Sequence, residues 1–184
     1  MTASTLAERL AGSDTRSNHG PFLDSHRATA ACRRERDRLH GELARQLSEL
    51  LAAGTGEAFD VRVSPDRWIV QLGPVSLTVV WLKGARDSIA EGELLVIVWH
   101  GVAGRRPSRL PERPGAPQLP SATALWEEVL VPVAADEATW GWQPRSAGAG
   151  AGAWPSPELA ARCVERLHAA YARIAAAPKV GGQP

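Results

Sequence analysis

The sequence has few of the residues that indicate a disulfide-stabilised or membrane-spanning protein. Two cysteines in 184 residues are too few for a disulfide framework. The longest unbroken apolar run, LLVIVW at 94–99, is far shorter than the roughly 20 residues that cross a bilayer. No apolar run near the N-terminus resembles a signal peptide. We therefore expect a cytoplasmic protein that does not enter membranes.

Motifs for metal binding and catalysis are also missing. None of the five histidines stands in an HExxH pattern and neither cysteine in a CxxC pattern, so no metal site has recognisable ligand spacing. The acidic pairs Glu127-Glu128 and Asp136-Glu137 fall on a predicted strand and in a predicted turn, where neighbouring carboxylates do not converge. The sequence predicts no catalytic residue, no cofactor and no metal ligand.

The glycine-rich stretch at 146–153 contains GAGAG and only partly matches a nucleotide-binding loop. A dinucleotide-binding loop needs a second parallel strand after its helix, and no strand pattern follows here. A P-loop ends in Gly-Lys-Ser/Thr, which is absent. We predict that 146–153 is a Gly/Ala linker.

Apolar periodicity predicts an α+β fold, with a mostly antiparallel sheet of five or six strands packed by long N-terminal and C-terminal helices. The first helix is predicted from Asp24 to about Ala53, and the last begins with Ser156 as N-cap and Pro157 as its first residue. A short helix capped by Ser121 is predicted in SATALWEE, which gives the order α-β-β-β-β-(short α)-β-β-α. This order is similar to that of the secretion-chaperone fold, an analogy without a matching motif.

One hairpin can be predicted down to its register. Gly73-Pro74 suits a two-residue turn, because glycine supplies a positive φ and proline lacks the N–H that such a turn does not need. The pairs that follow are Leu72 with Val75, Val70 with Leu77, and Trp68 with Val79, which gives one wholly apolar face.

The predicted domain is single and spans 23–177. Residues 1–22 are predicted to be a flexible arm, 101–120 a long loop rich in proline and arginine, and 178–184 a disordered tail. Pro132 interrupts a strand pattern and should place that strand at an edge or a bulge.

Apolar surface on the sheet is predicted to exceed what two helices can cover. The second face carries Ile69, Val80 and Leu82 and one side of LLVIVW, an exposed patch that monomers seldom tolerate. The loop at 101–120, the N-terminal arm and another chain are the possible covers. Trp140 and Trp142 flank Gly141 near a predicted edge, where another backbone can approach closely; packing under the C-terminal helix is the alternative.

Arginine predominates among the basic residues: only Lys83 and Lys179 are lysines among 21 basic residues, and the net charge is +1. One stripe on the first helix, here called the Arg stripe, and four arginines of the long loop are candidates for contacts with a phosphate backbone. A solvated helix face is the favoured explanation of the stripe. These residues are Arg27, Arg34, Arg38 and Arg45 on the helix, and Arg105, Arg106, Arg109 and Arg113 in the loop.

The sequence therefore favours a non-catalytic protein-binding or adaptor module. It would act through the apolar sheet face and the Trp-bearing edge, with a protein partner or by self-association, for instance as a homodimer. A nucleic-acid-associated accessory protein is the first alternative. A small-ligand binder or enzyme with a pocket under loop 101–120, using His100 and nearby arginines, is the second.

Overall fold

The structure, a computed structural model, describes residues 22–53, 59–84, 88–101, 122–147 and 152–176. The tail predicted at 178–184, most of the arm predicted at 1–22 and of the loop at 101–120, and the middle of the linker at 146–153 lie outside these residues. The described elements are helix α1 (His26–Ala52), strands β1 (Phe59–Ser64), β2 (Arg67–Leu72), β3 (Val75–Leu82), β4 (Glu93–His100), β5 (Thr123–Ala134) and β6 (Trp140–Pro144), and helix α2 (Ser156–Ala175).

The strands form one antiparallel sheet in the order β1-β2-β3-β4-β5-β6, so each strand pairs with its neighbour in sequence. The predicted α+β class with flanking helices is confirmed. The predicted β2–β3 register is confirmed as well, because Leu72 pairs with Val75 and the alternating pairs follow from there. Gly73 has a φ of 51°, the positive value that the turn requires.

Helix α1 begins at His26, two residues after the predicted start at Asp24. The Ser25 side chain accepts a hydrogen bond from the Ala28 backbone N–H at 3.3 Å, which caps the first turn. The apolar stripe is buried along the whole helix, from Ala28 and Cys32 to Leu39, Leu43 and Leu47. The 3.6-residue periodicity of the apolar residues in the sequence places these side chains on one face of the helix.

Both helices pack on the same face of the sheet, here called the helix-bearing face. His40 of α1 stacks on Trp68 of β2, with ring centroids 6.0 Å apart, and α2 contacts β3, β4 and β6. Side chains at alternating positions of the sheet join the helix stripes in one buried cluster. The other face of the sheet takes no part in this cluster.

The short helix predicted in SATALWEE is wrong. Residues Thr123–Ala134 form one long strand, β5, which pairs with β4 from Thr123 opposite His100 to Leu130 opposite Leu94. A segment as short as SATALWEE does not form a stable helix on its own, because short isolated helices are marginal in water. Pairing with β4 therefore determines the strand conformation of this segment. The register of the pairing is irregular between Val98 and Trp99.

Pro132 does not place β5 at the sheet edge, since β5 lies between β4 and β6. The paired residues of β4 and β5 end at Leu94–Leu130, whereas pairing with β6 continues through Pro132–Trp142. Pro132 thus lies where β5 has only one neighbour, and its missing N–H breaks no ladder.

Ser156 is the first residue of α2 rather than its cap. Pro155 occupies the N-cap position without a side-chain hydrogen bond. The buried Ser156 hydroxyl instead accepts from Trp142 Nε1 at 3.1 Å and donates to Glu35 Oε2 at 2.8 Å. The serine therefore joins β6, α1 and α2.

Candidate functional site

The face of the sheet on which neither of the two described helices packs is the candidate site, here called the helix-free face. Cross-strand partners share a face of a sheet, so the register places one set of apolar side chains from β2 to β5 together. The set is Ile69 on β2, Val80 and Leu82 on β3, Leu95, Ile97 and Trp99 on β4, and Val129, Val131 and Val133 on β5.

The predicted residues Ile69, Val80 and Leu82 all lie on this face, and the structure brings them together with β4 and β5. Sequence reasoning missed the contribution of β5. Its alternation of Val129, Val131 and Val133 in EVLVPVA is a period-two signal. Pro132 obscures that signal, because a proline within a strand pattern indicates an interruption.

Burial is uneven across the helix-free face. Ile69 is 6% exposed and Ile97 8%, although neither belongs to the cluster formed with the helices. Toward the end of β3 the face opens: Leu82 is 42% exposed and Val133 37%. The accessible part is therefore a strip of six side chains, here called the apolar strip, formed by Val80, Leu82, Leu95, Val129, Val131 and Val133.

Polar groups border the apolar strip. Glu93 lies beside Leu82 in the register and forms an ion pair with Arg145. At the other end, Trp99 Nε1 donates to the buried Thr78 hydroxyl at 3.2 Å. The apolar strip is therefore an aliphatic surface with hydrogen-bonded or ion-paired polar groups at its margin.

The two tryptophans of β6 lie in the core. Trp140 is 8% exposed and Trp142 fully buried. Both point to the helix-bearing face, where Trp142 meets Trp81 and Trp140 edge-on at 6.1 and 5.8 Å. The alternative position under the C-terminal helix is therefore where the structure places them, and neither indole forms a surface for a partner.

The edge of β6 is covered by the chain itself. Trp142 and Trp154 exchange two backbone hydrogen bonds of 2.8 Å. A Cβ at Gly141 would lie 2.7 Å from the Ala153 Cβ, so only glycine fits. Gly141 does allow a backbone to approach, as predicted, and that backbone belongs to residues 153–154.

The Arg stripe is paired with carboxylates along its length. Arg27 and Arg34 both bind Glu137, in the turn between β5 and β6, at 2.8 and 2.9 Å. Arg38 lies 3.7 Å from Glu35, and Arg45 binds Glu42 and Glu49. This pairing weakens the stripe as a phosphate-binding surface. Arg105, Arg106, Arg109 and Arg113 lie outside the described residues.

A cleft lies at the start of α1, between Cys32, Arg36, Asp66 and Ile89. Arg36 is already engaged: it binds Asp66 at 3.1 Å and the Pro65 carbonyl at 2.6 Å, and it lies over the Trp81 ring. Burial raises the pKa of the Cys32 thiol to about 12, so this wall holds no activated nucleophile.

Other candidate groups are scattered. The pocket predicted under loop 101–120 lies outside the described residues, and His100 is exposed at the end of β4. Cys163 is buried, and burial raises its pKa to about 12. Within the described part of the chain, no three side chains of the metal-binding types come together.

No helix in the described ranges is long and apolar enough to cross a membrane. The chain matches no protein-family model, no curated protein and no solved structure. Its function must therefore be inferred from its own geometry.

Proposed function

We propose that this protein is a non-catalytic protein-binding module that holds an apolar segment of a partner protein against the apolar strip. The observation that carries the proposal is the asymmetry of the sheet. One face is filled by two helices, whereas the other presents aliphatic side chains from three adjacent strands, with Leu82 and Val133 open to solvent.

Exposure of aliphatic side chains on a sheet face to water is unfavourable in free energy. Each Val or Leu side chain gains about 1.5–3 kcal/mol when it is fully buried. The six side chains of the apolar strip are only partly covered, so a partner that completes their burial gains free energy without a change in the fold. The partner segment should be apolar on the side that faces β3, β4 and β5.

Site-specific photo-crosslinking tests this proposal. A photoreactive amino acid is placed at Leu82, at Val133, and at the exposed helix position Ala172 as a matched control, and each variant is expressed in native cells. We expect the two strip positions, but not Ala172, to give the same discrete adduct, with mass spectrometry locating the crosslink in an apolar segment of the partner.

The companion variant Val131→Asp puts a charge in the middle of the strip and should remove the Leu82 adduct while the fold, followed by circular dichroism, is kept. Equal adducts from Ala172, or adducts that survive Val131→Asp, would contradict the proposal.

A further inference from the structure

The first strand of the sheet lies at an edge. Among the described strands it pairs only with β2, and apart from the half-buried Phe59 all of its residues are exposed. Natural sheets protect such edges with charged side chains, above all lysine, or with proline, a bulge or a covering segment. The sequence of β1, FDVRVS, contains no lysine and no proline, its register with β2 is regular, and its two charges, Asp60 and Arg62, are of opposite sign.

The two edges of the sheet differ in whether a described segment of the chain covers them. At β6 the chain covers the edge with its own residues around Trp154. At β1 no described strand or bridge lies on the outer side. Exposed valines on the helix-bearing face accompany this open edge: Val61 is 44% exposed and Val63 68%. An open backbone edge with apolar side chains is a template for pairing with another strand.

The sequence of β1 is complementary to itself. When two copies pair antiparallel around a two-fold axis at Val61, Val61 faces its own copy and Phe59 faces Val63. Asp60 then lies opposite Arg62 on the other side of the ribbon, twice. Within one chain Asp60 and Arg62 form an ion pair at 3.3 Å, with exposed side chains, and a second copy would add an opposite charge across the strand pair to each of them.

Other registers are worse. A shift that centres the axis on Arg62 or on Asp60 places like charges opposite each other, which is destabilising in a sheet. A shift by one position turns the apolar side chains of one copy away from those of the other. The pairing at Val61 is the one that satisfies charge and apolar contacts together.

We infer that β1 is the dimerisation edge of this protein and that two copies join their sheets through antiparallel β1–β1 pairing centred on Val61. This inference uses the edge of the sheet and does not depend on the helix-free face. One strand from each chain makes a small interface, so the dimer should form at micromolar protein and dissociate on dilution.

Sedimentation equilibrium over a dilution series tests the charge pattern. Asp60→Arg and Arg62→Asp each place like charges across the interface and should weaken the dimer by about tenfold or more. The double variant Asp60→Arg/Arg62→Asp restores opposite charges and should restore the dimer. Glu165→Arg, an exposed charge reversal on α2, is the control and should dimerise like the wild type.

Cysteine crosslinking tests the register. Val61→Cys should form a disulfide-linked dimer on mild oxidation, because the residue faces its own copy across the strand pair. Val63→Cys is more exposed but faces Phe59, and it should crosslink much less. The native Cys32 and Cys163 are buried thiols and should not interfere.

A wild type that stays monomeric at high concentration would overturn the inference. So would a double charge variant as weak as either single one, or Val63→Cys crosslinking as well as Val61→Cys. Crosslinking of Val61→Cys only to other proteins would assign the edge to a different partner and would equally overturn it.

Discussion

Replacing Ser156 by alanine should break the link between β6, α1 and α2. The Ser156 hydroxyl accepts from Trp142 Nε1 at 3.1 Å and donates to the Glu35 carboxylate at 2.8 Å. Trp142 is fully buried, so its N–H would lose its acceptor without gaining water. A buried donor left without a partner costs about 1–3 kcal/mol.

The loss at Glu35 adds less, because its side chain is 16% exposed and can be partly hydrated. We expect Ser156→Ala to lower the free energy of unfolding by about 2–3 kcal/mol. For a chain of this size that corresponds to a fall in Tm of roughly 4–12 °C. Urea denaturation followed by tryptophan fluorescence measures the first quantity and calorimetry the second.

Ser48→Ala is the matched control, because it makes the same chemical change at an exposed site. There the serine hydroxyl only donates to the Ala44 carbonyl of the preceding helical turn. It should be neutral or slightly stabilising, because alanine is the better helix former. Adding Trp142→Phe to Ser156→Ala should cost less than the sum of the two single changes. A Ser156→Ala variant as stable as Ser48→Ala would refute the link.

Two further predictions concern Trp140 and Glu137. The buried Trp140 Nε1 has no hydrogen-bond partner among the residues that the structure describes. Trp140→Phe should therefore destabilise the fold by about 1–2 kcal/mol less than Trp142→Phe, as measured by urea denaturation. Equal losses of stability in the two variants would contradict this prediction. Hydrogen bonding by Arg27, with help from Arg34, holds the pKa of Glu137 below its ordinary value of 4.5. The stabilisation from these ion pairs is therefore complete above pH 4.5 and is lost as the pH falls through the lowered pKa of Glu137. Glu137→Gln should thus be less stable than the wild type at pH 6, and the two proteins should become equally stable in acid. A gap that persists unchanged in acid or in high salt would point to another cause.

The parts of the fold that the sequence predicted are those governed by local periodicity. The stripe of α1 and the β2–β3 register each follow from a single pattern, and Gly73 locates the turn between the paired strands. These features need no knowledge of distant residues, because the spacing of apolar side chains fixes which face is buried.

The parts that could not be predicted depend on partners far along the chain. Ser156 has the residue type of a helix cap, but its hydroxyl is used by Glu35, 121 positions away. Arg27 reaches Glu137 across 110 positions, which turns an apparently free charge into a paired one. The strand at 123–126 is set by β4, whose register no short window contains.

Strand β6, which carries Trp140 and Trp142, is a case in which the local prediction was correct but the contacting segment could not be predicted. Gly141 does permit close approach of a backbone, yet the approaching residues are Ala153 and Trp154 of the same chain. Sequence alone gave no means to tell this internal contact from an external one. Among the described strands, β1 is the edge strand without a partner on its outer side, and its exposed valines can be recognised only in the assembled sheet.

Carbene footprinting of the purified protein, read by mass spectrometry, tests most directly whether the helix-free face is available to a partner. Leu82 and Val133 should be labelled in the native protein at rates close to that of the similarly exposed Leu51 on α1, and far above those of the buried Leu39 and Leu43. Labelling of Leu82 and Val133 as low as that of Leu39 would mean that the chain already covers this face, and the proposed docking function would be contradicted.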